Sequence, residues 1–139
     1  MNSQDLPDHK KTFDTAADHF DNLSFWNRFG QRTIDLANIQ KNASVLDICC
    51  GSGSSAIPAA QAVGPQGAVL GVDFSEKLVA IAAAKAKKLN LSQLKFQTAD
   101  FEKFSAPQNS YDAVVHAVLT QRVVYNSDFF FLLKFLLIR

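Results

Sequence analysis

The sequence predicts an α/β fold, with a doubly wound, mostly parallel sheet that is preceded by two helices and incomplete at its C-terminal side. Short apolar runs alternate with stretches of helical periodicity, the pattern of parallel strands joined by crossover helices. The first run ends in a glycine-spaced turn, Cys49-Cys50-Gly51-Ser52-Gly53, and the second ends in an acid, Asp73. After Val115 the alternation stops.

Phe13, Ala16, Ala17 and Phe20 recur at helical spacing, and Trp26, Phe29, Thr33 and Leu36 do so again, which predicts two amphipathic helices within residues 1–40. Packing on the sheet is the plain use of Phe20, Trp26 and Phe29. Val45-Leu46-Asp47-Ile48 then reads as a strand, and Ser54 with the alanines after it as a helix start. The turn between them sets the unpaired N–H groups of a first helical turn beside whatever lies over the glycines. Ala68-Val69-Leu70 leads through Gly71-Val72-Asp73-Phe74-Ser75 into a second helix from about Glu76. Val79, Ala82, Ala86 and Leu89 mark its apolar stripe, with Lys77, Lys87 and Lys88 opposite as a solvated face. Leu94-Lys95-Phe96-Gln97-Thr98 alternates like a strand and runs into Ala99-Asp100-Phe101-Glu102; a further strand starts at Tyr111-Asp112-Ala113-Val114-Val115.

A chain of 139 residues, 47% hydrophobic and 19% charged, has core enough for one domain. Its divisions are a helical cap over 1–40, a core over 43–115 and an apolar tail over 116–139. A net charge of +1 argues against a protein held mainly to nucleic-acid phosphates. The adjacent cysteines cannot frame a disulfide scaffold, and no spacing fits a metal site. The polar stretch from Asn2 to Lys11 holds no apolar signal core, so a reducing, cytoplasmic setting is expected.

Asp47 lies inside its strand, where a dinucleotide-binding fingerprint carries only apolar side chains, and a buried acid there faces a cation. Asp73 follows the glycine turn by about 20 residues, the spacing of an acid that accepts hydrogen bonds from ribose hydroxyls. Val45 to Gly53 resembles the first motif of class I S-adenosylmethionine-dependent methyltransferases, and Gly71 to Ser75 the second. The N-terminal helices resemble those of the ubiquinone and menaquinone C-methyltransferases. The resemblance runs from Phe13 to Val115 and implies a Rossmann-like domain with S-adenosylmethionine as cofactor. It further implies that Asp47, Cys49, Gly51, Gly53, Asp73, Phe74, Asp100 and Phe101 line the cofactor, with Asp100 reaching the adenine amine. Cys49 stands where the family has its first glycine, which is expected to require a negative φ.

The implied reaction is methyl transfer to a small-molecule acceptor. His116, at the carboxyl end of the last strand, is the candidate general base, an imidazole suiting an acceptor that must lose a proton. The strand lacks the Asn or Asp-Pro-Pro-aromatic sequence of adenine-modifying relatives, which again disfavours nucleic acid. Two alternatives stand beside this reading. Gly51-Ser52-Gly53-Ser54-Ser55-Ala56 also satisfies the G-x-G-x-x-A form of an NAD-dependent oxidoreductase, and a non-catalytic remnant would keep the cofactor cradle alone. The tail, Phe129 to Leu133 and Phe135 to Ile138, is too short for a membrane span. It is expected to complete the sheet, with self-association as the other way to bury it.

Overall fold

The computed structural model describes residues 9–100, 103–107 and 110–116, with the backbone alone at 9, 10, 20 and 21. Phe101 and the tail beyond His116 lie outside them. In order come α1 (His9–Asp21), α2 (Ser24–Ala37), β1 (Ser44–Ile48), α3 (Ala56–Val63), β2 (Ala68–Asp73), α4 (Glu76–Lys88), β3 (Leu94–Thr98) and β4 (Ala113–Val115).

All four strands are parallel, in the order β3-β2-β1-β4. The winding proceeds outward from β1 to β3 and then returns to the far side of β1. That reversal makes a switch point at the carboxyl ends of β1 and β4, where an open parallel sheet receives ligands. The register sets Asp47 beside Gly71 on β2 and Val115 on β4.

Period-2 alternation divides the strand side chains between two faces. Val45, Val69, Leu94 and Val115 pack with Ile34 of α2, with Ala56, Ala59, Ala60 and Val63 of α3, and with Ala86 of α4. Leu46, Ile48, Val72 and Val114 point the other way, against Phe104 and Tyr111. Each buried valine or leucine contributes roughly 1.5–3 kcal/mol before entropy is counted. Among the described residues the helices therefore cover one face of the sheet.

Local signals explain the helices. Pro58 lies in the first turn of α3, where its missing N–H removes no intrahelical bond. Ser75 caps α4 by accepting from the Leu78 N–H at 3.2 Å, with Glu76 in the first turn and Lys85, Lys87 and Lys88 in the last.

Two stripes differ from expectation. On α4 the buried residues are Leu78, Ala82 and Ala86, while Leu89 is 49% exposed because the helix ends at Lys88. On α2 they are Gly30 and Ile34, whereas Phe29 and Leu36 face outward. The reason in α2 is a close helix-to-loop approach that only the glycine side admits, described below.

Candidate cofactor site

Asp47 occupies the helix-facing side of β1 and is fully buried. Its Oδ2 accepts from the Ser55 hydroxyl at 2.6 Å, and its Oδ1 is buried with no hydrogen-bond partner. Burial pushes its pKa up to about 7 and the Asp73 charge adds to it, while hydrogen bonding from the Ser55 hydroxyl and from the Ala56 N–H opposes the rise. Among the described residues the one charge bearing on its pKa is the like charge of Asp73.

After Ile48 the backbone turns sharply, with positive φ at Cys49 (+56°), Gly51 (+53°) and Gly53 (+91°). The expectation of a negative φ at Cys49 is thus overturned. The turn demands the left-handed region there, and Cys49 adopts it despite its Cβ. Its half-buried thiol is pushed up to about 12 by burial and by the charges of Asp73 and Asp47. A Cβ placed on Gly51 would meet nothing within 4 Å, so the space over the loop is open to a ligand.

Asp73 closes the loop from β2. Its Oδ2 accepts from the Gly51 N–H at 2.8 Å and its Oδ1 from the Ser75 N–H at 2.9 Å. Burial raises its pKa, while these backbone donors pull the other way. Each oxygen keeps a further lone pair. Phe74 meets the Phe13 ring edge-on at 5.4 Å, which brings α1 over the end of β2. There the Ser75 hydroxyl donates to Asp14, and Lys77 pairs with Asp18 at 2.8 Å.

Asp100 follows β3 at the same rim, half-exposed and 3.5 Å from Lys103 Nζ. His116 directly follows β4, and burial lowers its pKa so that the imidazole is neutral near pH 7. The structure thus brings Asp47, Cys49, Gly51, Gly53, Asp73, Phe74, Asp100 and His116 to one end of the sheet. A cavity of about 380 Å³ between α2, α3 and α4 reaches Gly53 and Ser54 but neither aspartate, so it lies behind the loop and is not the crevice.

Sequence reading missed Ser55, Asp14 and Gly30. Ser55 is eight positions from Asp47 and Asp14 is sixty-one from Ser75, so only the fold reveals these partners. Gly30 did carry a signal, because an isolated glycine inside a helical pattern usually has a packing reason.

A parallel sheet with a switch-point crevice, a glycine loop and two strand-end acids defines a class of nucleotide-type cofactor binders. The chain matches the family described as "Methyltransferase domain" over residues 39–134, and it belongs to the class I S-adenosylmethionine-dependent methyltransferases. The match begins after both N-terminal helices and continues past Val115, further than the motif resemblance reached. Among relatives, the demethylmenaquinone methyltransferase of Geobacillus kaustophilus is 40% identical over 77 residues, 55% of this chain and 33% of that protein. The chain thus spans about a third of that relative's length. A methyltransferase structure from Aquifex aeolicus superposes with a TM-score of 0.65 at 23% identity, over 74% of this chain and 55% of the other. The [4+2]-cyclase SpnF also superposes, with a TM-score of 0.55 at 27% identity over 63% of this chain and 32% of its own.

Proposed function

We propose that this chain binds S-adenosylmethionine in the crevice over the glycine loop and takes part in methyl transfer to a small, quinone-type acceptor. Residues 43–115 serve as the cofactor-binding core and residues 1–40 as its helical cap. The observation that carries this reading is the buried, unpartnered Oδ1 of Asp47, which suits the ammonium of the cofactor's methionine part. Asp73 presents lone pairs to the ribose hydroxyls, Asp100 receives the adenine amine, and Phe74 flanks the base. Cys49, Gly51 and Gly53 keep the loop backbone low enough for close approach.

The cofactor, when bound, supplies an electrophilic methyl carbon on a sulfonium. The chain's share of the chemistry is placement, since holding the partners aligned removes a large entropic part of the barrier. Neutral His116 accepts the proton that the acceptor loses. The names of the demethylmenaquinone methyltransferase relatives support the quinone-type acceptor.

Calorimetric titration with S-adenosylmethionine, S-adenosylhomocysteine and NAD tests the first part. Saturable heat with the first two supports it, and heat with NAD alone overturns it. Transfer of labelled methyl to a demethylated naphthoquinone tests the second. Binding without transfer would leave a cofactor-binding protein of the same fold, since one fold hosts more than one activity.

A further inference from the structure

We infer that Gly30 and Ser55 are positioning residues for the cofactor-facing carboxylate: the close approach of α2 at Gly30 fixes the Ser54–Ser55 backbone, and with it the Ser55 hydroxyl that orients Asp47. The inference rests on the cofactor reading above and adds a mechanical link between the N-terminal helices and the site.

The first link is steric. A Cβ built on Gly30 would lie 1.9 Å from the Ser54 carbonyl oxygen, 2.3 Å from its carbonyl carbon and 2.8 Å from the Ser55 nitrogen. All three are backbone atoms, so no side chain can swing aside and the helix or the loop itself must shift. Glycine is disfavoured in a helix interior, and here it is buried against the Ser54–Ser55 backbone.

The second link is a hydrogen bond used in an unusual direction. A serine at the start of a helix ordinarily turns its oxygen toward the helix N–H groups, as Ser75 does for α4. Ser55 makes no such cap on α3. Its hydroxyl, 1% exposed as a residue, donates to Asp47 Oδ2 instead. That bond, together with the adjoining Ala56 N–H, holds the rotation of the carboxylate, and among the described residues Oδ1 is left without a strict hydrogen-bond partner. Displacing Ser54–Ser55 would free the carboxylate to rotate.

Among the described residues, the titratable groups bearing on Asp47 are Asp73 from β2 and the Cys49 and Cys50 thiols of the turn. None is altered by the substitutions that test the link. The measurement is the carboxyl ¹³C titration of Asp47 by NMR in the full chain, paired with S-adenosylhomocysteine affinity across pH. Ser55→Ala removes a donor to the ionised form, so the midpoint should rise by about one unit and affinity at pH 7 should fall on the order of ten-fold. Ser55→Thr, which keeps the hydroxyl, should restore both. Gly30→Ala should move the midpoint in the same direction, with far-ultraviolet dichroism reporting a folded chain; if it fails to fold, the Ser55 pair carries the test alone. An unmoved midpoint in Ser55→Ala overturns the inference. If the parent chain binds no S-adenosylhomocysteine the cofactor reading fails, and a shifted Asp47 titration would still support the positioning of the carboxylate.

Discussion

Asp73 at the end of β2 accepts the Gly51 N–H at 2.8 Å, so the acid expected to face a ribose also staples the glycine loop to the neighbouring strand. Its other oxygen accepts from Ser75 N at 2.9 Å, tying in the start of α4. One carboxylate therefore ties the loop to the start of α4. Hydrogen bonds to a charged acceptor of this kind contribute about 1.5–3 kcal/mol each.

Asp73→Asn keeps one acceptor oxygen and loses the other. It should lower stability by about 1–2 kcal/mol and weaken S-adenosylmethionine binding at least ten-fold. Urea denaturation and calorimetry read the two effects. Full stability together with full affinity would show that the carboxylate holds neither loop nor ligand.

Much of this geometry was legible in the sequence, and its limits have physical causes. β3 falls on Leu94–Thr98 as its alternation indicates. β4 starts at Ala113 and not at Tyr111: Asp112 still donates its N–H to the Ser44 carbonyl at 2.8 Å, but the Ser44 N–H is accepted at 2.9 Å by the Asp112 side-chain Oδ2 in place of a backbone carbonyl. Asp47 and Asp73 could be placed together because each ends or nearly ends a strand, and parallel strands deliver those ends to one rim. Ser55, Asp14 and Gly30 act through partners set by tertiary packing, and no periodicity encodes which loop a helix will touch. Cys49 departs from expectation because the turn, more than its own side chain, dictates its φ.

Asp47 should make the protein less stable as pH rises. Its native pKa, about 7, lies above the unfolded value of 3.8, so between these values the native state holds a proton that the unfolded state has released. Stability is then highest below about pH 4 as far as this group is concerned, and it falls until the carboxyl is ionised above about pH 7. A gap of about three units corresponds to roughly 4 kcal/mol. Asp47→Asn should therefore be more stable than the parent at pH 8, match it more closely at pH 5, and bind S-adenosylmethionine poorly. Denaturant midpoints at the two pH values check the sign; a variant that loses stability at pH 8 would contradict it.

Cys49 holds a left-handed backbone at φ +56°, a conformation costing a side-chain-bearing residue roughly 1–2 kcal/mol. Cys49→Gly relieves that cost but adds freedom to the unfolded chain, worth about 0.4–1 kcal/mol in the other direction. The net gain should be several tenths to about 1 kcal/mol, and Cys49→Val should destabilise instead. The same site should resist alkylation: with its pKa near 12, only about one thiol in ten thousand is ionised at pH 8. Urea midpoints of the two variants give the first answer and maleimide labelling rates the second, with a less stable glycine variant or rapid labelling counting against the strained, buried thiol.

The docking of α1 on the start of α4 combines contacts of unequal worth. Lys77–Asp18 joins side chains that are 43% and 77% exposed, and such pairs contribute roughly 0–1 kcal/mol. Phe13 against Phe74 is an edge-on aromatic contact worth about 0.5–1.5 kcal/mol beyond its buried area. Asp14 accepts the Ser75 hydroxyl while its charge raises Asp73, so that contact is favourable in one respect and opposed in another. Phe13→Ala should accordingly loosen α1 and speed proteolysis within residues 9–21, whereas Lys77→Ala should change stability by less than about 0.5 kcal/mol. Asp14→Asn should lower the Asp73 pKa by removing a like charge. Limited proteolysis, chemical denaturation and carboxyl NMR separate the three, and a larger loss from Lys77→Ala than from Phe13→Ala would reverse the ranking and make the exposed ion pair the hold on α1.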